Sequence, residues 1–275
     1  MRAYRAKNKF WTWVRVAFLW AAVLAVLFPY TWVVLSSFKS PADLTNPTKL
    51  LFAPVLDNWA RVFAGGIVNN FGLSLLVGLA TVLITLLAGT PAAYAISHYA
   101  VGGWLARFGI LLAELIPPSV LVLPLFLVSY YLKVNGMVIP VIVAHLTFVL
   151  PVVTWFLISF FDDIPRDLEQ AALIDGCTRF QAFLKVVLPQ VLPGLGAAAI
   201  FGFVLSWNDM FYALILGGET AKTLPVAIAG YNTFRGVQLG DMSVAILVSV
   251  LPTLLLSFFI QRRMIRGIGG GGVKG

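Results

Sequence analysis

The run DDIPRDLEQAALIDGCTRFQAFLKVVLPQVLP, residues 162–193, lies between two strongly apolar segments and decides how the rest of the chain is read. It holds Asp162, Asp163, Asp167, Glu169 and Asp175, five of the 11 acidic residues in the protein. In a chain this poor in charge, that density marks a segment facing water. Pro165 suits a first helical position, and Asp167 and Glu169 follow in the first turn, where carboxylates meet the positive end of the helix dipole. Leu168, Ala171 and Ala172 give this helix a small apolar face, and Gly176 is its stop. Thr178 with Gln181 three residues on forms a capping box. Phe180, Phe183, Leu184 and Val187 then fall at i, i+3, i+4 and i+7, the spacing of a single apolar face. Pro189 and Pro193 are expected to mark where the chain turns back into an apolar segment. The pattern predicts helix, glycine turn, helix.

Composition places this segment in a membrane protein. Apolar residues make up 60% of the chain and charged residues 11%, whereas soluble domains average about 25% charged. The 275 residues are consumed by spans of about 20 residues each. The net charge of +8 does not describe a nucleic-acid surface, because the basic residues gather at the two ends without interleaved aromatics. Cys177 is the single cysteine, so no disulfide within the chain is available and no cysteine metal cluster is supported.

Working outward, residues 1–15 carry Arg2, Arg5, Lys7, Lys9 and Arg15 with no acid, which the positive-inside tendency reads as a cytoplasmic tail. Residues 16–38 form the first span, a retained anchor rather than a signal peptide. Residues 39–66, with Pro41, Pro47 and Pro54, form an extracytoplasmic loop in which residues 58–63 suit a short interfacial helix. Spans two to six are expected at about 67–97, 108–132, 137–161, 187–205 and 242–260. They form a five-helix core over 67–261 that includes the inside loop 162–187. Span three holds Pro117, Pro118 and Pro124, whose freed carbonyls need partners. The tail 262–275 holds Arg262, Arg263, Arg266 and Lys274, again without acid. The expected architecture is all-α, with six transmembrane helices and both termini cytoplasmic.

The run Gln170-Ala171-Ala172-Leu173-Ile174-Asp175-Gly176, followed at fixed distance by Val186, Leu188 and Pro189, resembles the EAA loop of inner-membrane permease subunits in binding-protein-dependent ABC importers. Gln170 departs from that pattern, standing where the family usually has glutamate, although Glu169 precedes it. Pro117-Pro118, Leu123-Pro124-Leu125-Phe126, Leu150-Pro151, Phe160-Phe161, Ile164-Pro165, and Phe203 with Trp207-Asn208-Asp209 resemble the carbohydrate-uptake class, the maltose-type second permease in particular. So does the closing Gly272-Val273-Lys274-Gly275. The resemblance implies the type I permease fold in the cytoplasmic membrane of a prokaryote. It also implies a second homologous permease, two ATPase subunits that bind ATP and Mg, an extracytoplasmic substrate-binding protein, and a sugar or polyol as cargo. The ATPases would dock on Glu169, Gln170, Ala171, Ala172, Asp175, Gly176, Phe180, Phe183, Leu184 and Pro189.

Candidates for the substrate pathway are Glu114, as a carboxylate within a span, Trp155, Phe201 and Phe203, as aromatics able to stack on sugar faces, and Trp207, Asn208 and Asp209; the resemblance makes Glu219, Thr220 and Tyr231 candidates for contact with the binding protein. Two readings stand for Glu114: a place on the pathway or against the partner permease, and a place near the inner end of span three, where it snorkels or bonds to a neighbouring helix. Two also stand for Asp209: a helix-end group, and part of the pathway lining. His98 and His145 are isolated and read as hydrogen-bonded helix residues. No G-x-x-x-x-G-K-[ST] run and no metal-ligand or Ser/His/Asp spacing occurs, so this chain is not read as an enzyme or a nucleotide binder. An ion-coupled secondary transporter is the alternative, for which internal repeats and several intramembrane ionisable residues would be expected.

Overall fold

The computed structural model describes residues 2–46, 49–234 and 236–269. Pro47 of the outer loop and the closing Gly272–Gly275 lie outside the described residues. Helices dominate because a backbone within lipid must satisfy its polar groups internally. In order they are α1 (Arg2–Ser37), α2 (Pro41–Leu44), α3 (Asp57–Ala64), α4 (Ile67–His98), α5 (Gly103–Glu114), α6 (Pro118–Tyr131), α7 (Val138–Asp162), α8 (Arg166–Ile174), α9 (Arg179–Ala182), α10 (Leu188–Asn208), α11 (Phe211–Leu216), α12 (Leu224–Ala229) and α13 (Leu239–Gly269). Two short antiparallel strands, β1 (Asn232–Thr233) and β2 (Gly236–Val237), precede α13. Five helical segments are long and apolar enough to cross a membrane, and the pair α5 and α6 makes a sixth span bent by 85°.

The chain divides into two compact units, one formed by residues up to Ile67 with Gly230–Val250, the other by Val68–Ala229 with the residues from Leu251 onward. In the first unit, α1 is one helix where a tail followed by a span from Val16 was expected. No glycine or proline interrupts the basic tail, so its helix runs straight into the apolar stretch. Residues 11–31 are exposed throughout, leaving this span's apolar surface for lipid or another chain. A short helix, α3, forms over the residues read as an interfacial helix. Its buried Asn58 donates to the carbonyls of Ser37 and Lys39, both at 2.9 Å. Arg61 grips Asp241 through Nη2 at 2.7 Å and Nε at 3.1 and 3.2 Å.

In the second unit, α4, α7 and α10 pack around Val149, Val153, Leu157, Phe161, Val187 and Val191. Gly194 and Gly202 let α10 approach closely: a Cβ on Gly194 would sit 2.6 Å from the Phe160 ring, and one on Gly202 3.0 Å from Val153. A second cluster joins Val77, Val141, Ala144, Tyr212 and Leu216. At one end of this unit Asp162 collects Ser97 and both Nη atoms of Arg107, so the 99–102 turn and the 163–178 segment share that end. At the other end the Gly136 N–H donates to the Leu216 carbonyl at 3.1 Å, and Asn70 donates to the Lys222 carbonyl at 2.8 Å.

Two expectations are corrected. The chain does not turn at Pro189 or Pro193, because α9, a π-helical turn over Phe183–Val187 and α10 form one helix of 30 residues, Arg179–Asn208. Proline 189 has no N–H to offer the Lys185 carbonyl, and the wider register, with the Leu188 N–H on the Phe183 carbonyl, carries the helix through. The third span begins at Gly103 rather than Phe108 and is two helices rather than one.

Candidate functional site

The water-facing loop is built from local signals that each find their partner. Pro165 is the N-cap of α8, one position earlier than read, and Asp167 and Glu169 occupy the first turn. The helix ends in a complete Schellman motif: the Gly176 N–H donates to the Leu173 carbonyl at 3.1 Å and the Cys177 N–H to the Ala172 carbonyl at 3.0 Å. This requires the left-handed backbone, and Gly176 has φ +88°. The capping box forms reciprocally, Gln181 N–H to Thr178 Oγ1 at 3.3 Å and Thr178 N–H to Gln181 Oε1 at 2.9 Å.

The single apolar face expected of Phe180, Phe183, Leu184 and Val187 is split. The π turn adds a residue to the repeat and rotates the side chains apart, so Phe183 and Val187 are buried while Phe180 and Leu184 are exposed. Phe183 packs with its ring centroid 4.6 Å from that of Tyr94. On α8, Ala172 and Glu169 turn inward, whereas Gln170, Ala171 and Asp175 face solvent with Gly176. Leu168, Leu173, Ile174, Phe180 and Leu184 are all exposed, Ile174 at 86% and Phe180 at 69%. The loop therefore presents exposed apolar side chains at the end of this unit where Arg107, Asp162 and Arg166 meet, a surface that water disfavours and a partner protein fits. Pro189 is exposed further along the same helix.

Glu169 anchors the loop from inside. Its carboxylate accepts a hydrogen bond from the Tyr99 hydroxyl and lies 3.8 Å from His98 Nε2. The Tyr99 oxygen is 3.2 Å from that of Tyr94, and the Arg179 guanidinium sits 5.1 Å over the Tyr99 ring. Burial first, and then the bond to Glu169, push the Tyr99 phenol above its usual pKa. Arg166 reaches the Ser97 carbonyl at 3.3 Å. The loop is thus tied to the ends of α4 and α7 and is continuous with α10. Sequence reasoning did not find Tyr99 or Tyr94, whose partners in the loop, Glu169 and Phe183, lie 70 or more positions away.

The pathway candidates separate by burial. Phe203 and Trp207 are buried, stacked on each other at 5.4 Å, with Trp207 edge-on to Phe71; in this conformation they pack against their own chain. Trp155 and Phe201 are exposed. Asn208 is exposed and bonds to the Val204 carbonyl. Asp209 is a helix cap: its Oδ2 accepts from the N–H of Tyr212 at 3.1 Å and of Ala213 at 3.4 Å. The same oxygen lies 3.1 Å from Nε2 of buried His145, whose Nδ1 is 2.7 Å from Ser206 Oγ. Ser206 and His145 are buried, and the half-buried Asp209 joins them to the start of α11. Glu114 is exposed and stands at the break between α5 and α6, not at the inner end of the span.

Of the residues expected to meet a binding protein, Glu219 is exposed, and Thr220 donates to the Gly136 carbonyl. In the other unit Tyr231 is half-buried at the base of the β1–β2 hairpin, its carbonyl accepting from the Gln238 N–H at 3.0 Å. Burial and the nearby Asp241 raise its phenol pKa. The exposed aromatic of the hairpin is Phe234, at 94%, a residue that no periodicity or motif singles out.

Residues 82–270 match the family described as binding-protein-dependent transport system inner membrane component. This chain belongs to that family. It is 34% identical to the sulfoquinovosyl glycerol transport system permease protein of Agrobacterium fabrum (strain C58), over 98% of this chain and 96% of that one. It is likewise 34% identical to the trehalose transport system permease protein of Mycobacterium tuberculosis (strain CDC 1551 / Oshkosh), over 90% and 93%. In fold it is similar to a chain in the crystal structure of a bacterial ABC transporter involved in the import of the acidic polysaccharide alginate, with a TM-score of 0.75 at 18% identity over 93% of this chain and 97% of that one. The protein is a multi-pass ABC permease subunit of the importer type. The loop 162–187 lies within the matched residues.

Proposed function

We propose that this permease moves a sugar or related polyol inward across the cytoplasmic membrane of a bacterium. It would act with a second homologous permease, two ATPase subunits and an extracytoplasmic binding protein. The observation that carries the reading is the apolar patch of α8 and α9, exposed on a loop whose inner side is tied to α4 and α7 and whose α9 continues into a span. Relatives named for transport of trehalose, sulfoquinovosyl glycerol and arabinooligosaccharides support a saccharide cargo. ATP and Mg would bind on the ATPase subunits, and no cofactor is proposed for this chain.

The mechanism follows from how the loop is tethered. ATPase closure displaces α8 and α9 together. A push on α9 acts directly on the 30-residue helix Arg179–Asn208, which needs no flexible joint to move its far end. A push on α8 acts through Glu169 and Arg166 on Tyr99 and Ser97, at the end of α4. The spans tilt and the access side changes.

The whole importer in proteoliposomes is expected to accumulate trehalose or another neutral disaccharide only when ATP is supplied on the side of Cys177, with no dependence on a proton or sodium gradient. Uptake by this chain alone, driven by an imposed ion gradient, would establish the secondary-transporter alternative instead. The β1–β2 hairpin in one unit, and separately Glu219 and Thr220 in the other, are each proposed as contacts for the binding protein. Phe234→Ala is expected to reduce its stimulation of ATPase activity severalfold while the complex still assembles, with Tyr231→Ala acting in the same direction. Unchanged stimulation in both would move the contact to the 39–66 loop.

A further inference from the structure

Glu114 ends α5, which packs along α7, and its neighbour Ala113 lines a cavity of about 460 Å³ together with Leu150 and Pro151. Those two residues are at the centre of α7, the 25-residue span Val138–Asp162. Twelve residues of α5 rise roughly 18 Å, a little over half of a hydrocarbon core about 30 Å thick. The carboxylate therefore stands about half-way along the bent span Gly103–Tyr131, level with the middle of α7.

The break beside it is rich in acceptors. The Ala113 and Glu114 carbonyls would take helical donors from residues 117 and 118, and both are proline, with no N–H to give. The turn is closed one step earlier, the Leu115 N–H donating to the carbonyls of Leu111 and Leu112. Two carbonyls and an exposed carboxylate thus meet at an 85° bend, and among the described residues Glu114 has no hydrogen bond or ion pair. Lipid supplies no donor to such a group, and its cost there is several kcal/mol. Water and the hydroxyl groups of a polyol supply donors; an anionic cargo supplies the wrong charge.

We infer that Glu114 and the carbonyls at this break line the cargo path of the importer, accepting hydrogen bonds from hydroxyl groups of a neutral saccharide and disfavouring anionic ones. This rests on the transport reading above. It gives this chain a part in cargo selection, biased toward uncharged polyhydroxylated molecules.

The test uses the assembled importer with Leu115→Cys, adjacent to the carboxylate and 74% exposed. The probes are a cationic and an anionic methanethiosulfonate of similar size, applied to both membrane faces. Peptide mass spectrometry reads modification at position 115 separately from Cys177. Both reagents are expected to react, and adding Glu114→Gln is expected to lower the cation-to-anion rate ratio about tenfold. In the importer with only Glu114→Gln, the KM for a transported neutral disaccharide is expected to rise at least fivefold with kcat changed less than twofold, and Glu114→Asp to restore part of it. Absence of modification at 115, an unchanged rate ratio, or an unchanged KM would each overturn the assignment. If the wild-type importer moves no saccharide at all, the cargo reading fails on its own, and the rate ratio still decides whether Glu114 selects charge.

Discussion

Gly176→Val is expected to yield a membrane-inserted protein whose sugar transport falls by at least tenfold. A Cβ at this position would meet nothing within 4 Å, so the effect is conformational and not a clash. At φ +88° a β-branched residue strains the backbone by about 1 to 3 kcal/mol. The chain relieves that strain by leaving the left-handed region, which breaks the bonds from Gly176 and Cys177 to the carbonyls of α8. Insertion is unaffected, since the spans bury far more than this. The angle between α8 and α9 is what changes, and the exposed patch of Leu173, Ile174 and Phe180 depends on it. Gly176→Ala should cost roughly 1 kcal/mol and transport at a substantial fraction of the wild-type rate. Gln170→Glu, at an exposed position, should be tolerated. The measurement is ATP-driven uptake normalised to the amount of inserted protein. Wild-type uptake by Gly176→Val would remove the turn from the account of how the protein is powered.

Asp209→Ala should be the most destabilising single change among the polar residues read as pathway candidates. One carboxylate oxygen caps α11 twice and faces Nε2 of a histidine that is 1% exposed. Losing a cap costs about 1 kcal/mol, and leaving a buried polar partner unsatisfied costs about 1 to 3 kcal/mol more. The thermal transition of the detergent-solubilised protein should drop by about 5 °C or more. Asp209→Asn keeps an acceptor for the cap and should lose less. A thermal transition unmoved by Asp209→Ala, with transport impaired, would return Asp209 to the pathway.

The sequence by itself determined most of the features that depend on neighbours along the chain, the passage of a helix through Pro189 and Pro193 excepted. Apolar runs long enough for lipid located the spans to within a few residues at most ends, because a spanning backbone has no partner but itself. The α8 stop, the capping box and the interfacial α3 were legible because Gly176, Thr178, Gln181 and Trp59 act within one helical turn. The loop and its spacing were enough to identify the family.

What tertiary structure decided is what depends on rotation and on distant partners. The one apolar stripe from Phe180 to Val187 became two faces, because a π turn is set by how Phe183 packs against Tyr94 as well as by Pro189. Glu169 reads as a surface acid, yet it is turned inward onto Tyr99. Asp209 caps α11 through N–H groups one turn away, but its contact with buried His145 exists only because α7 lies beside it. The two prolines after Glu114 announced a broken helix, but neither the 85° bend nor the depth of the carboxylate could be read until α5 was laid against the middle of α7. Side chains one turn apart answer to local geometry; those facing another helix answer to a packing that no single stretch encodes.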